Sequence, residues 1–243
     1  MESGSVDMAA SHRFYGDLFD WEVDDHSFPG GGSYTRFLIR DLPVAGAFSV
    51  DADQDLSRLP AQWWPFVSVE SVESALGRAV ALGAAPFGDV VDVQGEFSAA
   101  EFVDPSGAVC GLWQAGTHIG ASFTGEAGAL TWTDIVSPDP TAAASFYGEL
   151  FGWTIQSENM NSESYEFFVN DGAVVAGLAK CDSEEVPWWR PHVGVSDFDA
   201  AIAVAAELGG DLGDEVRSVT GLGRRASVTD PNGISLMLIE SQA

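Results

Sequence analysis

The chain contains itself twice. Asp7–Gly16 reads DMAASHRFYG and Asp139–Gly148 reads DPTAAASFYG, and the match runs on as GDLFDW (Gly16–Trp21) and GELFGW (Gly148–Trp153), an offset of 132 residues. Tyr34 and Val44-Ala45-Gly46 return 131 residues later as Tyr165 and Val175-Ala176-Gly177. Leu82-Gly83 and Asp104-Pro105-Ser106-Gly107 return 126 residues later as Leu208-Gly209 and Asp230-Pro231-Asn232-Gly233. Blocks that keep their order while the offset drifts by a few residues are the trace of a duplication with small loop insertions and deletions. A repeat of about 115–120 residues is a comfortable size for a domain. The expected organisation is therefore two tandem domains, residues 1–117 and 126–243. The stretch Gly116–Gly128 (GTHIGASFTGEAG) is rich in Gly, Ser and Thr, and supplies a linker at residues 118–125.

Each repeat reads as two smaller modules. In the second repeat Asp139 followed by Pro140 makes a helix N-cap, apolar positions follow at helical spacing (Ala143, Phe146, Tyr147, Leu150), and Gly152 stops the run. Strand-like stretches follow at Tyr165–Asn170 and Ala173–Lys180, joined by Asp171-Gly172. A short strand at His192–Val195, a helix at about Asp199–Leu208, and strands at Arg224–Thr229 and Ile234–Glu240 complete the repeat. The order is strand, helix and three strands, twice per repeat, an α+β pattern. The first repeat has almost no chain ahead of Asp7 to match Leu130–Val136, so its first strand is expected to be short or incomplete.

Composition narrows the partners. Hydrophobic residues make up 46% of the 243 residues, enough for packed cores. Thirty-seven acidic residues against ten basic ones give a formal charge of −27, a surface that repels phosphate backbones and anionic headgroups. Nucleic acid and membrane are therefore not expected as partners, and no run of 18 apolar residues suggests a membrane span. The opening MESGSVDMAASHRF has neither the basic nor the apolar region of a signal peptide, and Cys110 and Cys181 form no Cys-x-x-Cys pair. The expectation is a cytoplasmic monomer or homodimer whose partner is a small-molecule ligand.

The pair FYGDLFDW and FYGELFGW, each followed later by DPSG or DPNG, resembles the vicinal oxygen chelate superfamily of glyoxalases, bleomycin-resistance proteins and extradiol dioxygenases. The resemblance covers nearly the whole chain. Gly111–Gln114 (GLWQ), directly after DPSGAVC, is further similar to a two-domain actinobacterial branch labelled "hydroxylase". The resemblance implies that each domain is a pair of βαβββ modules whose curved sheets form a cup.

Catalytic members of that superfamily hold a divalent metal in the cup through His, Gln or Glu on the first, fifth and last strands. Carried onto this chain, those positions fall on Trp132, Arg190 and Met237 in the second repeat, and on Trp64 and Gly111 in the first. Indole nitrogen has no lone pair to offer, guanidinium is a fixed cation, and a lone thioether suits hard or borderline metals poorly. Asp134, His192 and Glu240 lie two, two and three residues farther on, a chemically sensible set, but Glu240 needs a bulge to turn inward. The expectation is no metal and no other cofactor.

The candidate ligand-binding residues are Trp132, Arg190, Trp189, Met237, Tyr165, Trp64 and Phe66, and the candidate proton-transfer residues are Asp134, His192 and Glu240. The Trp63-Trp64 and Trp188-Trp189 pairs read either as aromatic walls or as ordinary packing. Arg190 inside a cup is expected to have an acidic partner. Asp182, Glu184 and Glu185 read as a solvated loop, and Gly221–Arg225 lacks the strand and helix of a dinucleotide fingerprint. Three readings follow: metal-independent binding of a flat, mostly apolar natural-product or antibiotic-like molecule; a metal-independent cyclase, isomerase or hydroxylase-like enzyme of secondary metabolism using Asp134, His192 or Glu240; and a divalent-metal lyase or dioxygenase. The second cup, with its full first strand, is expected to hold the main site.

Overall fold

The computed structural model describes residues 1–27, 32–50, 62–160, 163–182, 185–213, 216–219 and 223–240. Glu184 and Gly221-Leu222 lie outside them. Four βαβββ modules follow one another along the chain. The first holds β1 (Glu2–Ser5), α1 (Met8–Phe19), β2 (Glu22–Ser27), β3 (Ser33–Ile39) and β4 (Leu42–Ser49). The second holds β5 (Phe66–Ser68), α2 (Val72–Ala81), β6 (Ala85–Val93), β7 (Phe97–Val103) and β8 (Val109–Ala115). The third holds β9 (Leu130–Ser137), α3 (Pro140–Phe151), β10 (Thr154–Met160), β11 (Glu163–Asn170) and β12 (Ala173–Lys180). The fourth holds β13 (Trp188–Val195), α4 (Phe198–Glu207), β14 (Asp211–Leu212), β15 (Arg217–Val219), β16 (Gly223–Thr229) and β17 (Ser235–Glu240).

In every module the first strand runs parallel to the last, and the others add antiparallel: β1-β4-β3-β2, β5-β8-β7-β6, β9-β12-β11-β10 and β13-β17-β16, with β14 and β15 beside β16. The helix is the crossover a parallel pair needs. Its start is dictated locally. Asp7, Ser71, Asp139 and Asp197 each cap a helix by accepting from the backbone N–H three residues on. α3 ends on Gly152 at φ 76°, and α1 ends at the equivalent Asp20, which takes the same left-handed turn at φ 58°. β1 has four residues against eight in β9, so the first strand is short, as expected.

The modules pack across the repeat rather than within it. One compact unit comprises Met1–Trp63, Ala121–Thr131 and Pro191–Ala243; the other comprises Trp64–Gly120 and Trp132–Arg190. The first unit thus joins modules one and four, and the second joins modules two and three. This differs from the expected division into residues 1–117 and 126–243, and the cores give the reason. In the first unit Phe14, Tyr15, Phe37 and Trp63 share a core with Val193, Phe198, Ala205 and Leu236. In the second, Val72, Ala79, Phe102 and Leu112 share one with Phe146, Tyr147, Phe168 and Trp189. The sequence repeat marks the ancestry of the modules; the apolar faces of the helices decide their partners.

The expected linker is not a loose tether. Ser122 N–H donates to the Pro43 carbonyl at 2.8 Å, the Trp21 indole donates to the Gly128 carbonyl at 2.7 Å, and Arg40 stacks over Phe123 at 4.9 Å, all within the first unit.

Candidate functional site

The motifs that repeat converge on buried Trp–Tyr–Asp groups. In the second unit the Trp189 indole donates to the Tyr147 hydroxyl at 2.8 Å, and Tyr147 donates to Asp104 Oδ2 at 2.8 Å. Asp104 Oδ1 accepts from Ser106 Oγ and from the backbone N–H groups of Ser106, Gly107 and Ala108. In the first unit the Trp63 indole donates to Tyr15 at 2.9 Å, Tyr15 lies beside the Asp230 carboxylate, and Asp230 Oδ1 accepts from the N–H groups of Asn232 and Ile234. FYG, the tryptophan pair and DPxG are therefore one structural device, used twice. Burial, with the neighbouring aspartate second, pushes both tyrosine hydroxyls well above the usual phenol range.

Trp189 consequently belongs to the core rather than to a ligand wall: it is 1% exposed, and its N–H and ring are taken by Tyr147. Trp64 is likewise fully buried, packed edge-on to Phe87. Phe66 is half-buried on β5, its ring lying where a side chain at Gly111 would be, 2.4 Å from an added Cβ.

A different group of residues gathers on β9, β11, β12 and β13 within the second unit. Asp134 is fully buried on β9, and Arg190, at the point where β13 leaves the unit, donates Nε–H to its Oδ1 at 2.6 Å and Nη2–H to its Oδ2 at 2.9 Å. This is the acidic partner expected for Arg190, in two-point geometry. Burial works against the Arg190 charge, but the Asp134 carboxylate outweighs it, so the guanidinium pKa is raised. Asp134 faces Gly177 across the parallel β9–β12 ladder. The Tyr165 hydroxyl crosses Gly177 so closely that an added Cβ would stand 1.9 Å from it, and 2.9 Å from Asp134 Cβ. Trp132, half-buried and two residues before Asp134, donates its indole N–H to the Tyr165 hydroxyl at 3.3 Å. Trp132, Asp134, Tyr165 and Arg190 thus form one connected surface of two aromatic rings beside a locked ion pair.

The other predicted residues fall in the first unit. His192 is fully buried on β13, opposite Met237 of β17 in the parallel ladder. Glu240 is held by Arg224. It accepts from Arg224 Nε and Nη2 at 3.1 and 2.8 Å, and Arg224 also holds Asp199 at 2.8 Å while lying over Phe198. Arg224 lowers the Glu240 pKa, which keeps the carboxylate ionised.

The metal positions do not fit a metal. Trp132, Arg190 and Met237 offer no suitable donor, and both Asp134 oxygens accept from a permanent cation. Among the described residues, no three His, Cys, Asp or Glu side chains come together as a metal site.

Sequence reasoning missed Glu2 and Gly177. Glu2 stands to Gly46 and Tyr34 as Asp134 stands to Gly177 and Tyr165: it faces Gly46 across β1–β4 and accepts from the Tyr34 hydroxyl at 2.6 Å. Burial raises its pKa, against the opposing pull of the Tyr34 bond. The 132-residue offset from Asp134, and the Val-Ala-Gly block shared by both repeats, carried that signal.

This chain belongs to the glyoxalase-like proteins of the vicinal oxygen chelate superfamily. A glyoxalase-like domain model matches residues 132–239. CFP32 of Mycobacterium tuberculosis, provisionally named a glyoxylase, is 31% identical over 232 residues, 94% of this chain and 88% of that protein. The anthracycline biosynthesis protein DauV of a Streptomyces species is 31% identical over 253 residues, 98% of this chain and 90% of that protein. The 2,3-dioxygenase LapB of Pseudomonas shares the fold, with a TM-score of 0.63 at 12% identity over all of this chain and 91% of LapB.

Proposed function

We propose that the chain binds a flat, mostly apolar small molecule of natural-product type on the Trp132–Tyr165–Arg190 surface, without a metal. The observation that carries this reading is the Asp134–Arg190 pair at the expected metal position. It puts a fixed, oriented donor where metal-using relatives need a ligand, beside two half-buried aromatic rings. Rings stack on such surfaces in offset or edge-to-face arrangements, and polar groups at the margin fix orientation. The likeness to an anthracycline biosynthesis protein favours a polycyclic aromatic ligand. The formal charge of −27 favours a cationic or neutral one over an anion. Proton transfer through Asp134 or Glu240 is disfavoured, because each carboxylate is held by an arginine.

The test is titration with an anthracycline, followed by tryptophan quenching and calorimetry. A stacked ring face is worth roughly 0.5–1.5 kcal/mol beyond area, so Trp132→Ala is expected to weaken binding about tenfold with the fold intact by circular dichroism. Unchanged affinity in Trp132→Ala would place the ligand elsewhere.

A further inference from the structure

Arg190 is held but not used up. Its bonds to Asp134 engage Nε–H and one N–H of Nη2. A guanidinium carries five N–H donors in a rigid plane, and among the described residues no protein acceptor takes the other three. The side chain is 18% exposed, and none of its nitrogens is a buried atom without a partner, so the remaining donors meet solvent and are reachable. Two neighbouring donors in one plane suit two neighbouring oxygens of a planar partner.

The local charge decides which oxygens. Asp134 neutralises Arg190, and Glu185 acts on the same guanidinium as a second carboxylate. The immediate field is therefore neutral to negative, inside a protein of formal charge −27. A carboxylate or phosphate would approach against that field. A neutral keto–enol edge, a ring carbonyl beside a hydroxyl, supplies two acceptor oxygens in plane without a net charge.

We infer that this surface, if it binds a flat molecule as proposed above, recognises an oxygenated edge of the hydroxyquinone or hydroxyketone class through the outer face of Arg190, and discriminates against anions of the same ring outline. Asp134 is then a positioning residue: it fixes the guanidinium plane and cancels its charge. Tyr165 borders the same edge, because its hydroxyl lies over Gly177 next to Asp134.

Three probes of one outline separate the possibilities: a peri-hydroxyanthraquinone, anthracene and an anthraquinone carboxylate, each titrated by tryptophan quenching at low and moderate salt. The wild-type protein is expected to prefer the hydroxyanthraquinone to both others by about tenfold or more, the scale of one charge-assisted hydrogen bond. Arg190→Lys keeps the charge and loses the planar donors. It is expected to abolish that preference for the hydroxyanthraquinone over anthracene. If Arg190→Lys fails to fold, the double variant Asp134→Asn, Arg190→Gln keeps a neutral pair and should lose the preference in the same way. Equal binding of hydroxyanthraquinone and anthracene to the wild type overturns the edge recognition and leaves the stacking surface standing. Tighter binding of the carboxylate overturns it as well. If none of the three binds, the proposed function itself falls.

Discussion

Replacing Tyr147 by Phe removes one oxygen from the centre of the second unit and tests what the repeated motif is for. The hydroxyl accepts from Trp189 at 2.8 Å and donates to Asp104 at 2.8 Å, and all three residues are buried. The ring itself stays, packed edge-on against Phe146 and Trp189, so no large cavity opens. The loss is two hydrogen bonds. The neutral one is worth about 0.5–1.5 kcal/mol and the one to a carboxylate about 1.5–3 kcal/mol, for a total of roughly 2–4 kcal/mol. Asp104 keeps four donors on Oδ1, so its turn should survive. In a chain of this length each kcal/mol moves the melting temperature by about 2–4 °C, giving a fall of roughly 5–15 °C. Differential scanning calorimetry measures it, with near-UV circular dichroism checking that the tryptophans remain ordered. Tyr15→Phe removes the one neutral bond from Trp63 and should cost less, about 0.5–1.5 kcal/mol. The two losses should add, because the hydroxyls share no partner. A fall of less than about 2 °C in both variants would mean that the Trp–Tyr–Asp groups do not hold the units together.

Three further outcomes are expected. Tyr15, Tyr147 and Cys110 are all pushed upward by burial, so each holds its proton in the folded state at a pH where the unfolded chain releases it. Their contribution is complete below the unfolded values near 9–10 and is lost as pH rises beyond them, so denaturant midpoints should drop progressively from about pH 9 upward. Gly177→Ala puts a Cβ 1.9 Å from the Tyr165 hydroxyl, so it should displace Tyr165 and weaken ligand binding with little change in the melting temperature, read by the same quenching titration. Trp64→Ala and Trp189→Ala should act on stability instead, each costing about 3–5 kcal/mol in urea unfolding, because both indoles are buried in the core.

The fold was legible because duplication writes the same constraints twice. The Asp N-caps, the Gly or Asp helix stop and the DPxG turn are local devices, readable from a few adjacent residues. The partner of each module was not legible. It depends on which apolar helix face meets which, and Phe14 and Phe146 look alike whether they pack within their own repeat or across it. The tryptophan pairs misled for a similar reason. Sequence places an indole on a strand, but whether it faces a ligand or a tyrosine hydroxyl depends on residues more than forty positions away, as Trp63 with Tyr15 and Trp189 with Tyr147 do. Glu240 was likewise read without Arg224, its partner on the neighbouring strand.

What the repeats share and what they do not share sort into different kinds of residue. Trp63 and Trp189, Tyr15 and Tyr147, and Asp230 and Asp104 are preserved in both copies, and every one of them is buried. Tyr34 over Gly46 beside Glu2, and Tyr165 over Gly177 beside Asp134, keep a common geometry with a changed acid. At the next position the copies part: Arg190 in the second repeat answers to a fully buried Trp64 in the first, and Met237 answers to Gly111. A duplicated chain needs both copies of its scaffold, since each unit takes one module from each repeat. It needs only one copy of a site, so the positions free to diverge are those that face a ligand rather than a core. On the proposed reading Arg190 is such a position. Its guanidinium meets the carboxylate that the fold offers in both repeats, and no cation stands at the equivalent position of the first. The residues that identify the family therefore hold the chain together, and on the proposed reading the residues that set its chemistry are found where the two halves disagree.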